Sequence, residues 1–226
     1  ANAAVFDVKF RNGNTEKYEF TAQMSAFSGL ELMAEGPFNK KKNGSFLISY
    51  RYGIASLAAT GTSATPYYQD LSFKLDFGSG KFGRFELFGF GGLSSIDFIG
   101  DEIQEDDLFA DPFSDSYFKS NIGAIGLNHT LRFSNKAFLK TTIGATATQS
   151  QFLQDNFLVD SATSIRTGKY RATEVNDLEA RYTLSSQYNK KYSARFNLRA
   201  GVIAELFNIQ SLLLDRDRRA DIPDLD

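Results

Sequence analysis

The stretch Ala194-Arg195-Phe196-Asn197-Leu198-Arg199-Ala200-Gly201-Val202-Ile203-Ala204-Glu205-Leu206 puts Ala194, Phe196, Leu198, Ala200, Val202, Ala204 and Leu206 at every second position. Arg195, Asn197, Arg199 and Glu205 fall between them. Successive side chains of a β-strand point to opposite faces, so this stretch reads as one strand with an unbroken apolar face and an ionic opposite face. About nine such segments run through the chain. A long strand divided in this way suits the wall of a membrane β-barrel around a wet lumen. A large soluble sheet with one buried face fits the same alternation.

The first segment is Ala4 to Arg11, followed by a turn signal at Asn12-Gly13-Asn14. Further strands are expected over Lys17–Phe27, Leu30–Glu35, Ser45–Ile54, Leu71–Phe77, Arg84–Phe98, Phe118–Phe133, Phe138–Phe152, Val175–Tyr188 and Ser193 to about Ile209. Several exceed the usual five or six residues of globular strands. The connections fall into two sets. Short basic ones lie at 39–44, 78–81, 134–136 and 189–191, and long polar ones at 55–70, 100–117 and 153–174. From the second hairpin on they alternate. In an antiparallel meander this places every short turn at one end and every long loop at the other, the arrangement of outer-membrane barrels. Phe38, Phe46, Phe77, Phe82, Phe133, Phe138, Tyr188 and Tyr192 sit near the short turns and read as an interfacial aromatic girdle. Glycines inside the strands, among them Gly89, Gly91, Gly92, Gly123, Gly126 and Gly144, read as points of curvature.

A chain of 226 residues holds one sizeable β domain or a piece of a larger one. Its net charge of -2 provides no general attraction to nucleic acid. It has no cysteine, so disulfide, cysteine-metal and thiol chemistry are excluded. No run approaches the roughly 18 apolar residues of a membrane helix. The start lacks the pattern of a signal peptide, and Asp215 to Asp221 is a polar stretch rather than a terminal strand, so the chain reads as a fragment of a longer polypeptide.

Little in the sequence looks catalytic, and the chain reads as neither an enzyme nor a cofactor binder. The single histidine, His129, lies between Leu127 and Leu131 on an apolar strand face and reads as a packed or interfacial side chain. Gly89-Phe90-Gly91-Gly92 lacks the lysine and helix of a phosphate loop. The carboxylates of 101–115, Asp106 and Asp107 among them, read as a solvated acidic outer loop in preference to a calcium site. Tyr67 and Tyr68, with Phe109 and Phe113, are candidate outer-loop ligand contacts, or else they pack the loops. The ionic positions Lys74, Asp76, Arg84, Glu86, Arg132, Lys140, Glu179, Arg181, Arg195, Arg199 and Glu205 read as cross-strand pairs on a hydrated wall.

Ala1 to Asn14 resembles the last strand of the plug domain of TonB-dependent outer-membrane receptors, Bacteroidetes type. Glu35-Gly36-Pro37-Phe38, Gly44 to Tyr52, Tyr68 to Leu75 and Gly91 to Asp97 are similar to early barrel strands of such receptors. The resemblance implies an all-β fold in which an antiparallel meander forms part of a transmembrane, 22-stranded barrel in the outer membrane of a Gram-negative bacterium. Residues 1–14 would be the final plug strand and link, and 15–226 the first part of the barrel. It also implies nutrient import, with the lipid bilayer, the TonB complex (through the rest of the plug) and a surface lipoprotein as partners. Glycans, peptides, siderophores and vitamins all fit as the nutrient. Two other readings remain open from the residues: a small self-contained porin-like or adhesive barrel, and a soluble β-sheet binding module.

Overall fold

Alternation becomes register in the computed structural model, which describes residues 9–25, 29–53, 64–100, 111–160, 162–163 and 165–216. Nine strands follow one another: β1 (Glu19–Ser25), β2 (Gly29–Asn39), β3 (Gly44–Tyr52), β4 (Ala64–Gly80), β5 (Gly83–Phe98), β6 (Ser114–Ser134), β7 (Ala137–Val159), β8 (Arg166–Lys191) and β9 (Asn197–Asp215). Each pairs with its sequence neighbours, so they form one antiparallel meander in the order β1 to β9. β1 and β9 do not meet, and the sheet is open. A 3₁₀ turn, Lys40–Lys42, makes the β2–β3 connection.

Residues directly opposite across an antiparallel pair share a face. Register therefore joins the strands into rows. One row reads Ile48, Phe73, Gly89, Ile125, Ala145, Tyr182, Leu206 across β3 to β9. The next position along each strand gives the opposite face: Lys74, Phe88, Gly126, Gly144, Thr183, Glu205 across β4 to β9. The first face is called outer and the second inner. Glycine lets an aromatic ring lie across the neighbouring strand, with the Phe73 ring against Gly89 and the Phe88 ring against Gly126.

A single sheet has no second layer to bury an apolar face, although folded domains usually have one. Buried apolar residues among those described are Leu47, Ala137 and Ala172. The outer row residues stay open instead, with Ile143 57% exposed and Leu206 66% exposed.

Three expectations from the sequence are corrected. Lys9 to Arg11 is irregular rather than strand, while Ala4 to Val8 lies outside the described residues. The connections at 55–70, 100–117 and 153–174 are shorter than the polar composition implied. β4 begins at Ala64 and β6 at Ser114, while β7 continues to Val159 and β8 starts at Arg166. These stretches pair in register as strands do despite their polar composition. Arg195 also moves: it sits in the β8–β9 turn, not in the wall.

At the β7–β8 turn Asp160 Oδ1 accepts the backbone N–H groups of Ala162, at 2.7 Å, and Thr163, at 3.1 Å. Those bonds favour the charged form and hold the Asp160 carboxyl below the usual aspartate range. A depressed carboxylate stabilises the fold above its unfolded pKa, and that contribution fades as pH falls through the folded value. The turn amides of Ala162 and Thr163 should keep constant exchange protection, corrected for intrinsic rate, from pH 7 to 5. They should lose it below about pH 4, read by hydrogen exchange. Gly78 has φ +73, and a Cβ there would overlap the Lys42 carbonyl. Gly78→Ala should lower unfolding free energy by about 1–3 kcal/mol, measured from the urea midpoint.

Candidate functional site: the inner wall and its strap

Residues 9–14 run as a strap across the inner face, and five contacts fix them there. The Phe10 ring lies 6.4 Å from that of Phe88 and 6.2 Å from that of Phe90. Lys74 Nζ donates to the Phe10 carbonyl at 3.1 Å. Arg11 grips the Glu35 carboxylate with both terminal nitrogens, each at 2.6 Å. The Asn14 N–H donates to the same carboxylate at 2.8 Å. Glu35 is 4% exposed, so its charge is compensated almost wholly by the strap. The Glu35 hydrogen bonds in turn hold the Arg11 guanidinium above its ordinary value. Gly13 is required at its position, because a Cβ would overlap the Phe46 carbonyl oxygen. Asn14 then closes an Asx turn onto the Glu16 N–H at 2.8 Å, turning the chain toward β1.

Behind the strap the inner wall carries ion pairs. Lys74 meets Glu86 at 3.0 Å, and Arg84 pairs with Asp76, which is 1% exposed. Arg181 meets Glu205 at 3.9 Å. Arg199 donates to Asn189 at 3.0 Å instead of to an acid. The expected cross-strand pairing is therefore realised by three pairs, while Arg132, Lys140 and Glu179 have no ion pair among the described residues.

Toward the end opposite the short turns, the two faces exchange character. The inner row Pro66, Ile96, Phe118, Phe152, Val175, Leu213 is apolar. Phe118 lies tilted against Phe152 at 4.6 Å and meets Phe98 edge-on at 5.9 Å. The outer row beside it is polar: Tyr67, Ser95, Lys119, Gln151, Asn176, Leu212, with only its last member apolar. Just below, the Asn121 amide donates to Gln149 at 3.1 Å, and Gln149 to Asn176 at 3.2 Å. The outer apolar band ends at this amide ladder.

The candidate ligand contacts do not converge. Tyr67 is on the outer face, its ring edge-on to Tyr52 at 5.5 Å. Tyr68 is on the inner face, covering Gly53 and lying under Arg51 at 5.6 Å. Phe113 is 64% exposed beside the β6 start, and its carbonyl accepts the Phe157 N–H at 2.9 Å. Asp106, Asp107 and Phe109 lie outside the described residues. His129 packs flat on Phe85 at 4.4 Å, with Nε2 2.7 Å from the Phe82 carbonyl. Among the aromatics near the short turns, Phe38 and Phe77 pair edge-on at 5.5 Å, and Phe133 lies 6.3 Å from Tyr188. Phe138 differs from the expectation, because its row with Arg132 and Asn189 faces inward. No group of metal-ligating side chains occurs among the described residues. Comparison with family models, with curated proteins and with solved structures found no match to this chain.

Sequence reasoning missed the strap clamp, since Glu35 and Arg11 are separated by β1 and nothing local pairs them. Glu35→Gln should speed exchange of the Asn14 amide at least tenfold and cost about 1–3 kcal/mol of strap docking. Hydrogen exchange resolved at Asn14 checks this; unchanged protection there would dissociate Glu35 from the strap.

Proposed function

We propose that this chain is an arc of a transmembrane outer-membrane barrel, with a strap leading in from a plug domain, belonging to a TonB-dependent transporter of nutrients. The observation that carries this reading is the outer apolar band. Phe20, Leu32, Ile48, Leu71, Ile125, Ile143, Leu184 and Leu206 are all exposed on one face of a single-layer sheet. Exposed contiguous apolar surface of this kind marks a partner, and hydrocarbon is the partner that covers a curved sheet evenly on one side.

Three further features support it. The band stops at the Asn121–Gln149–Asn176 ladder, where the bilayer would give way to water. The opposite face carries ion pairs suited to a wet interior. The strap occupies that interior face, as a link from a plug would. The open edges of β1 and β9 call for further strands, since an unpaired edge is not tolerated in lipid. In this reading residues 1–14 close the plug and 15–226 begin the barrel, the TonB complex acts through the rest of the plug, and a surface lipoprotein meets the outer end. The inner wall is a rigid surface against which a plug rearranges.

Two measurements test the proposal. The native polypeptide, detected by a peptide of this sequence, should appear in an outer-membrane fraction at several times 25.1 kDa. Its absence from membranes would sink the proposal, and a species of 25.1 kDa there would leave a small self-contained barrel. The two faces are separable by a matched pair of substitutions. Ala145→Arg, on the outer face, should cost about 2–4 kcal/mol of stability in lipid vesicles. Thr148→Arg, on the inner face beside Glu179, should be close to neutral. Equal costs would contradict a lipid-facing outer surface.

A further inference from the structure

We propose that the inner wall at the short-turn end holds a binding site for a phosphate group. A cavity of about 530 Å³ opens there, lined by Lys74, Lys81, Arg84, Glu86, Thr130 and Arg132, with Asn12 of the strap on its rim. Four of these side chains are cationic and one is acidic.

The existing pairs do not neutralise the cavity. Lys74 is taken by Glu86 and by the Phe10 carbonyl, and Arg84 by Asp76. The Lys81 and Arg132 side chains have no hydrogen-bond or ion-pair partner among the described residues. Lys140 shares a row with Arg84 and Thr130, on the same face, and is likewise unpaired among them. Three uncompensated cations thus gather at one end of the inner wall. The carboxylates Asp177, Glu179 and Glu205 lie farther along the strands, toward the other end. The positive charge is therefore local to the cavity and is not a property of the whole wall.

The donor set selects the ligand. The free fork of Arg132 offers two parallel N–H groups, the geometry that matches phosphate oxygens. Lys81 adds a mobile point charge, and the Thr130 hydroxyl and Asn12 amide add neutral donors. The one acid in the lining, Glu86, is already engaged by Lys74. A group with several acceptor oxygens and at least one negative charge satisfies these donors together, and the volume fits a small solute. A free phosphate compound and a phospholipid headgroup share that chemistry. The site stands on the side chains of this chain and survives failure of the membrane reading.

The test uses the native polypeptide in detergent, titrated calorimetrically with inorganic phosphate while chloride holds ionic strength constant. Saturable binding is expected, weakened at least tenfold in the Lys81→Ala, Arg132→Ala double variant. Lys191→Ala, a basic residue at another turn, should bind as the unaltered protein does. Arg132→Lys keeps the charge, removes the fork and should fall between. Dihexanoyl-phosphatidylglycerol below its micelle concentration separates the sources. Tighter binding than inorganic phosphate, lost in the double variant, assigns the site to a headgroup; equal or weaker binding assigns it to a free phosphate compound. No saturable binding, or equal phosphate affinity in the double variant, would overturn the proposal.

Discussion

Continuous antiparallel register is the constraint on which the rest of the structure depends. From β3 to β9 the strands pair over long stretches with only local shifts, so a side chain's face is decided once for a whole row. Ile125 cannot face outward unless Ala145 and Tyr182 do so too. A slip of one residue would turn every row over and put Lys74, Glu86 and Arg181 among the outer apolar side chains. The division of the sheet into a greasy side and a charged side is thus a collective property of the pairing.

The sequence disclosed the faces wherever apolar residues took the outer positions. Val202, Ala204 and Leu206 alternate with Glu205 and its neighbours, and β9 presents those faces as read. It misled where the rule reverses. Phe118, Phe152 and Val175 are apolar on the inner side, with Lys119, Gln151 and Asn176 polar on the outer, and just past them residues 64–70, 114–117, 153–159 and 166–174 continue the strands although their polar composition looked like loop. Tyr67 and Tyr68 illustrate a signal that was present. Adjacent residues of one strand point to opposite faces, so two neighbours there do not line one pocket. The strap was illegible for another reason: its grip depends on Glu35, Lys74, Phe88 and Phe90, which only the folded sheet brings together.

Exchange of face character also bears on how the sheet meets its surroundings. Below the amide ladder the outer side is apolar and the inner side ionic; above it the aromatic row lies inside. A single sheet therefore offers two apolar surfaces at different heights and on opposite sides. The lower one suits a continuous medium. The upper one, a narrow row from Pro66 to Leu213, suits a specific object resting against it.

The strap also dictates an order of assembly. Every strand pairs with its immediate predecessor in sequence, so the meander can grow one hairpin at a time through mostly short loop closures. The strap is the exception: its carbonyl at Phe10 waits for Lys74, across a sequence separation of 64 residues, and its ring waits for Phe88 and Phe90 on β5. Residues 9–14 precede β1 in the chain and settle late, after β2 to β5 have formed the surface that receives them. Until then the carboxylate of Glu35 stands open to water, and residues 9–14 are free of the wall they will finally cross.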